Sequence, residues 1–185
     1  EITSLRKDVK TDGRHAEVTF TKDWKEDSIR RDFTINSIYA DIDGNIFDPN
    51  NGVEDLQNGT VRFIGNSYER IQEDYLRILR YIRFFLLYSK QDHSNDIKKT
   101  IKQNISGVSN LSKERLLDEL NKIFKSRALF KLVKDNFSYE IISLIFPQLI
   151  NLKILKKLEK KKEEILINKS FDFLLALLIL DETDN

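Results

Sequence analysis

The feature that most constrains the fold is a change of hydrophobic pattern near residue 67. From there to about residue 180, apolar side chains recur at the three- and four-residue spacing of amphipathic helices. The pattern predicts helices over residues 67–89, 94–105, 112–126, 128–136, 138–145, 151–167 and 170–180. Before residue 67 the apolar residues alternate over short runs that turn residues interrupt, which is typical of strands and loops.

The residues before this helical part contain one strong local signal. Asp43-Gly44 lies between two short alternating runs, 38–42 and 45–48, and this arrangement predicts a β-hairpin. The other expected segments are a strand at 1–6, a mobile loop or hairpin at 7–25 with a short strand at 17–21, a helix at 26–37, a turn-rich bridge at 49–59 and an extended piece at 60–64. We therefore expect an α+β domain over residues 1–60 and an all-helical domain over 61–185, mostly α overall.

Composition excludes several kinds of site. The chain has no cysteine, so disulfides and thiolate metal sites are excluded, and its two histidines, His15 and His93, cannot make a histidine-rich metal site. The longest apolar run, residues 173–180, is too short to cross a bilayer. Because the formal net charge is only +1, a surface for nucleic acid must come from local clusters of charge.

The predicted helix at 67–89 carries a polar strip beside its apolar stripe. On this helix Asp74 and Arg77 differ in direction by about 60°, so both could reach one edge of a ligand. An acceptor beside a donor fits cytosine or adenine, whereas uracil or guanine would leave Asp74 facing a carbonyl, at a cost of about 1–3 kcal/mol. Considered alone, the pair is better explained as a salt bridge on a helix flank.

The predicted helix at 26–37 carries a second candidate site. It places Asp32 and Asn36 on one face, where a carboxylate and an amide could bind ribose hydroxyls while an arginine of the same segment contacts phosphate oxygens. Considered alone, ordinary pairing along the helix, such as Asp27 with Arg31, is again the better explanation.

Six segments in a fixed order favour a nucleotide site over ordinary salt bridges. They are residues 1–6 (EITSLR), 11–18 (TDGRHAEV), 30–36 (RRDFTIN), 47–49 (FDP), 52–56 (GVEDL) and 70–81 (RIQEDYLRILRY). Their order and spacing resemble class II tRNA nucleotidyltransferases, the CCA-adding enzymes of bacterial and mitochondrial type, which belong with the bacterial poly(A) polymerases. The resemblance is dense up to about residue 90. It implies that the α+β part is the C-terminal remnant of a nucleotidyltransferase head, followed by a truncated helical neck and body.

The resemblance also implies roles for particular residues. Ribose and phosphate binding is assigned to Arg30, Arg31, Asp32 and Asn36. Base recognition is assigned to Glu73, Asp74, Arg77 and Arg80, although the predicted helix turns Arg80 away from Arg77, which favours a phosphate or structural role. The family's flexible loop, which helps the switch from C to A, corresponds to the segment with Asp8, Asp12, Gly13 and Arg14. Glu1 matches a third acidic position beside the metal site.

The implied activity is template-independent addition of CCA to tRNA 3′ ends from CTP and ATP with Mg²⁺. The partners would be tRNA and the two nucleotides, in the bacterial cytoplasm or the mitochondrial matrix, with no membrane partner. A poly(A) polymerase, or a family member that adds only CC or only A, is the nearest alternative. A non-catalytic RNA-binding module on the same scaffold is the alternative from another class.

The family's catalytic Asp-x-Asp pair precedes every segment found in this chain. Asp41-Ile42-Asp43 has the right residues but lies in the hairpin, after the segment at 30–36, so we reject it as the metal pair. Since the sequence starts at Glu1 and contains no Met, we expect a piece of a longer protein whose other residues hold Mg²⁺. This chain alone is then predicted to add no nucleotide to a tRNA lacking its 3′ end.

Overall fold

The computed structural model describes residues 4–11, 16–157, 165–166 and 168–179, with the backbone alone for 7–11 and 16–18. The strands are β1 (Arg6–Thr11), β2 (Ala16–Phe20), β3 (Tyr39–Ala40) and β4 (Ile46–Phe47). The α-helices are α1 (Trp24–Ile29), α2 (Gly52–Asn58), α3 (Ser67–Glu73), α4 (Leu76–Tyr88), α5 (Asn95–Asn104), α6 (Lys113–Phe124), α7 (Ala128–Leu132), α8 (Asn136–Ile145) and α9 (Phe171–Ile179). Turns of 3₁₀ helix occupy Thr34–Asn36, Ile105–Asn110 and Leu152–Lys157. This order confirms an α+β part followed by helices.

Contacts between residues divide the chain into two units. The first contains Glu1–Arg77 and Tyr88–Asn104, and the second contains Ile78–Leu87 and Ile105–Asn185. These units divide the chain differently from the predicted domains, so the domain boundary at residue 60 stays a prediction. Within the part of the chain that the structure describes, no helix is long and apolar enough to span a bilayer.

Two antiparallel ribbons form in the first unit. β1 pairs antiparallel with β2, with an irregular register between Asp8 and Lys10, which confirms the hairpin of the two alternatives predicted for residues 7–25. Of the strand predicted at 1–6, residues 1–3 lie outside the described residues, residues 4–5 are not in a strand, and β1 begins at Arg6. The β3–β4 ribbon confirms the predicted Asp-Gly hairpin, and Gly44 adopts the positive φ of 85° that its turn requires.

The helix predicted at 26–37 is wrong in extent. α1 begins after Asp23, whose carboxylate accepts a hydrogen bond from the Lys25 amide at 2.7 Å, and it ends at Ile29. Beyond it the helix does not continue, because Phe33 is extended and forms an antiparallel bridge with Phe63, and only the 3₁₀ turn Thr34–Asn36 follows. Pairing with a distant segment has therefore overridden the local helical pattern, and it also confirms the extended piece predicted at 60–64.

The bridge predicted at 49–59 is wrong in type, since it contains α2. Asp48 starts this helix by accepting hydrogen bonds from the amides of Gly52 at 2.8 Å and Val53 at 2.9 Å. A Cβ at Gly52 would lie 2.2 Å from the Thr34 carbonyl oxygen. The absence of a side chain at Gly52 therefore allows α2 to pack directly on the 3₁₀ turn that follows the Arg30–Asp32 segment.

The single helix predicted at 67–89 is divided in two. Asp74 leaves helical geometry, with φ −156° and ψ 106°, and its Oδ1 accepts a hydrogen bond from the Leu76 amide at 3.1 Å. An aspartate that bonds to the backbone two residues later competes with the helix and begins a new one. Asp74 therefore caps α4, and the prediction that it shares one continuous helix with Arg77 is wrong.

The second unit is built on a helical core. Its fully buried side chains include Ile78, Leu79, Ile82, Leu120, Ile123, Phe124, Leu129, Leu132 and Ile141. α5, α6, α8 and α9 begin and end within two residues of their predicted bounds, whereas α7 ends early because Asp135 caps α8 by accepting from the Ser138 amide at 2.7 Å. The helix predicted at 151–167 begins as a 3₁₀ turn, Leu152–Lys157, and residues 158–164 and 167 lie outside the description.

Candidate functional site

A buried carboxylate organises the end of α1. Asp27 has 0% exposure, and its Oδ1 accepts hydrogen bonds from the Arg6 amide at 2.9 Å and from Arg30 Nε and Nη2 at 3.0 and 2.7 Å. Its Oδ2 accepts from Arg31 Nε and Nη2 at 3.1 and 3.0 Å and from the Tyr39 hydroxyl at 2.7 Å. The same edge of each guanidinium is therefore held by one carboxylate, which fixes both arginines at the start of the RRDFTIN segment.

The ionisation of these groups follows from their contacts. Burial acts to raise the pKa of Asp27, but hydrogen bonds from the Arg6 amide, the Tyr39 hydroxyl and the two arginines outweigh it and lower this pKa to about 2. Burial raises the pKa of Tyr39 to about 12, and donation to Asp27 acts in the same direction. For Arg31, burial opposes the charged form, yet Asp27 raises its pKa. Near neutral pH the cluster thus holds one carboxylate, two guanidinium groups and a neutral phenol.

α3 holds the backbone of the same segment from another side. Arg70 Nη2 donates to the carbonyl oxygens of Arg30 at 3.1 Å and Arg31 at 2.6 Å, which lie 39 or more residues away in sequence. Its Nη1 forms an ion pair with Glu73 Oε2 at 2.6 Å. The backbone of residues 30–31 is thus tied to α3, while their side chains are tied to Asp27.

Arg77 joins the two predicted sets of site residues. Its Nη1 donates to the Arg70 carbonyl oxygen at 2.6 Å and pairs closely with Glu73, and its Nε lies 3.4 Å from Asp32 Oδ1. The Arg77 and Asp32 side chains are each only 12% exposed. A residue assigned to the sugar and one assigned to the base are therefore in direct ionic contact, through a fold that neither local pattern revealed.

Other predicted residues have different surroundings. Asn36 Oδ1 accepts a hydrogen bond from the Phe33 amide at 3.2 Å and holds the 3₁₀ turn, so the shared helix face predicted for Asp32 and Asn36 is wrong. Arg80 falls in the second unit, with its guanidinium 6.0 Å from the centre of the Phe84 ring.

Predicted residues near the start of the chain cannot be placed. Glu1, Asp12, Gly13 and Arg14 lie outside the described residues. Of Asp8, the backbone in β1 alone is described. Their assigned roles stay predictions.

The described residues do not fit a divalent metal. Asp41 Oδ1 accepts hydrogen bonds from the amides of Asp43 at 3.0 Å and Asn45 at 2.8 Å, so this carboxylate holds the hairpin turn. Across the ranges that the structure covers, no group of three or more His, Asp or Glu side chains is arranged to hold a metal ion.

Three residues that hold the Arg30–Asp32 segment in place, Asp27, Arg70 and Tyr39, were missing from the predicted site. Asp27 had a signal, since arginines three and four residues later can pair with it on a helix. Arg70 lay on the predicted polar strip but had no sequence signal for its bonds to the backbone of residues 30–31. Tyr39 gave no local signal, because it reaches Asp27 only through the packing of the β3–β4 hairpin.

Comparison with protein families gives two matches. Residues 1–62 match the model described as the poly A polymerase head domain, and residues 94–153 match the probable RNA and SrmB-binding site of polymerase A. The first match contains the Arg30–Asp32 segment and the Asp27 cluster. The second covers helices α5 to α8.

Individual relatives agree with these matches. The human mitochondrial CCA tRNA nucleotidyltransferase 1 is 54% identical over 125 residues, which are 66% of this chain and 29% of that protein. The CCA-adding enzyme of Staphylococcus haemolyticus is 33% identical over 193 aligned residues, covering 100% of this chain and 45% of that protein. A crystal structure of the Bacillus stearothermophilus CCA-adding enzyme in complex with CTP matches with a TM-score of 0.61 and 26% identity, covering 94% of this chain and 48% of that one.

This chain spans less than half the length of each of these relatives. Within that span the sequence motifs, the fold and both family matches agree. The chain belongs to the family of CCA-adding tRNA nucleotidyltransferases and poly(A) polymerases.

Proposed function

We propose that the natural protein carrying this chain is a template-independent nucleotidyltransferase that adds CCA to tRNA 3′ ends from CTP and ATP. In this proposal the chain supplies the nucleotide-reading part of the enzyme, and Mg²⁺ is held by other carboxylates. The observation that carries the proposal is the contact between Asp32 and Arg77, because it joins the sugar-binding and base-reading segments into one network.

The chemistry of Arg77 supports base reading. Its Nη1 and Nε are engaged by Arg70, Glu73 and Asp32, so among the described contacts Nη2 is left to donate to a ring nitrogen. An arginine held on two sides loses little side-chain freedom when it binds a ligand, which favours discrimination between bases.

Asp74 would supply the complementary acceptor. One of its oxygens accepts from the Leu76 amide, and an ionised carboxylate can accept several hydrogen bonds. The exocyclic amine of cytosine or adenine fits this acceptor, whereas the carbonyl of uracil or guanine does not. The break between α3 and α4 places Asp74 at a helix start, so its orientation depends on that cap rather than on a helical spacing from Arg77.

The nucleotide requirement tests the proposal. The natural full-length protein, a tRNA lacking its CCA end and Mg²⁺ would be incubated with CTP alone, ATP alone or both. We expect two C additions with CTP alone and completion of the end with both nucleotides. Failure to extend with any combination would overturn the proposal.

The match to the poly A polymerase head supports one alternative, an enzyme that adds A only. The same experiment separates the two. Repeated addition from ATP alone, with no use of CTP, would favour the poly(A) polymerase, while a family member that adds only CC would stop before the terminal A.

A further inference from the structure

Arg70 contacts both the Arg30–Asp32 segment, which is proposed to bind the sugar, and Arg77, which is proposed to read the base. Its side chain donates to the Arg30 and Arg31 carbonyl oxygens, and its own carbonyl oxygen accepts from Arg77 Nη1 at 2.6 Å. Its side chain is 13% exposed, so these bonds are largely shielded from water. Arg70 therefore bonds both to the backbone of residues 30–31 and to Arg77.

The planar fork of an arginine is suited to this position. One Nη2 group reaches two successive carbonyl oxygens, while Nη1 pairs with Glu73. A lysine has a single ammonium on a flexible stem and cannot reproduce this set of directions. Without Arg70, the carbonyls of residues 30 and 31 would lose a charged donor, and buried carbonyl groups without partners are costly.

The orientation of Arg77 also depends on Arg70. Glu73 binds Arg77 Nη1, but the Glu73 side chain is 42% exposed and its Oε2 is fixed by Arg70 Nη1. Loss of the Arg70 side chain would therefore release Glu73 from one of its two cationic partners. Arg77 would then keep its contacts to the Arg70 carbonyl oxygen and to Asp32, but its third partner, Glu73, would be held less rigidly.

We propose that Arg70 is a positioning residue that couples base selection at Arg77 to the placement of the Arg30–Asp32 segment. It does so through bonds to backbone and to Glu73, and it contacts no nucleotide itself. This inference rests on the proposed nucleotide-adding function and deepens it by naming a determinant of nucleotide selectivity.

Selectivity in the natural full-length protein tests this role. The measured quantity is kcat/KM for CTP relative to UTP, and for ATP relative to GTP, in Arg70→Ala, Arg70→Lys, Arg77→Ala and the double variant Arg70→Ala/Arg77→Ala. Arg62→Ala is the matched control, because Arg62 makes a two-nitrogen contact with Asp55 at 3.1 and 2.9 Å but bonds to none of the selecting residues. The emission of Trp24, packed 5.4 Å from the Phe47 ring, checks that each variant is folded.

We expect Arg70→Ala to reduce selectivity by about tenfold and Arg70→Lys to reduce it by about threefold, with Arg62→Ala unchanged. If Arg70 acts through Arg77, the double variant will be no less selective than Arg77→Ala alone. Should Arg70→Ala fail to fold, Arg70→Lys carries the comparison.

Two results would overturn the inference while leaving the proposed function intact. One is unchanged selectivity in both Arg70 variants when Arg77→Ala has lost it. The other is an equal loss in Arg62→Ala, which would assign the effect to general destabilisation. Absence of any nucleotide addition by the unsubstituted protein would instead refute the proposed function.

Discussion

Replacement of Asp27 by Asn is the strongest test of how the site is held. The carboxylate is fully buried and forms ion pairs with Arg30 and Arg31, so Asp27→Asn removes the one negative charge that both guanidinium groups share. It also turns an amide N–H₂ towards groups that donate hydrogen bonds. Breaking a buried ion pair by removing one partner costs about 3–5 kcal/mol. Since the arginine side chains keep 16% and 23% exposure, we expect a cost near the lower end, about 3 kcal/mol.

Urea unfolding followed by Trp24 emission measures this cost. Trp24 is the only tryptophan, and it packs 5.6 Å from the Tyr39 ring, whose hydroxyl donates to Asp27, so its emission reports on the unit that contains the cluster. With a slope of about 1–3 kcal/mol per molar urea, the expected loss shifts the midpoint by about 1–3 M. Tyr39→Phe removes one donor and keeps both arginines, so it is expected to cost about 1 kcal/mol.

Asp41→Asn is the matched control, because this aspartate is only partly buried and the amide oxygen of its replacement can still accept both backbone hydrogen bonds of the hairpin turn, so that only the bond from the Asn45 side chain is lost. Its midpoint is expected to stay near that of the unsubstituted chain. A shift for Asp27→Asn no larger than that of the control would refute the view that Asp27 organises the site.

Three further outcomes follow from other contacts. Gly52→Ala is expected to cost about 1–3 kcal/mol in the same urea assay, because its Cβ would lie 2.2 Å from the Thr34 carbonyl oxygen; an unchanged midpoint would contradict this close approach. The difference in the free energy of unfolding between the unsubstituted chain and Asp27→Asn should shrink as pH falls. Because the pKa of Asp27 is lowered from 3.8 to about 2 in the folded chain, the ionised carboxylate stabilises the fold fully above pH 3.8, and this stabilisation is lost as pH falls through 2. A difference that stays constant in urea titrations down to pH 2 would contradict this expectation. Glu119→Gln should lower the free energy of unfolding by about 3 kcal/mol in urea unfolding followed by circular dichroism, because the fully buried carboxylate pairs with Arg83. A loss of only a few tenths of a kcal/mol would show that the pair contributes little to stability.

Local signals in the sequence were sufficient where the structure is local. The β3–β4 hairpin follows from Asp43-Gly44, whose turn geometry is set by neighbouring residues. α6 follows from its apolar stripe, which is buried through Leu120, Ile123 and Phe124. These elements depend on contacts within a few residues of each other or on one consistent face.

Contacts between distant segments decided the remaining elements. The pattern at 26–37 is helical, but the pairing of Phe33 with Phe63 interrupts it with an extended residue, and only a 3₁₀ turn follows. The stripe at 67–89 continues on both sides of Asp74, so periodicity could not reveal that this side chain caps a new helix.

Contacts within the candidate site also could not be predicted from local sequence patterns. The residue types at Asp32 and Arg77 were identified from the family pattern, whereas their contact depends on the non-helical chain after α1 and on the break between α3 and α4. Arg70 and Tyr39 were missed because their roles exist only in the folded chain.

Base selectivity tests the central claim most directly. In the natural full-length protein, kcat/KM would be measured for all four nucleoside triphosphates with the unsubstituted enzyme, Asp74→Ala and Arg77→Ala, together with tRNA affinity. If these residues read the base, each variant loses its preference for CTP and ATP over UTP and GTP while tRNA affinity is kept. Retained preference with weakened tRNA binding would contradict the account.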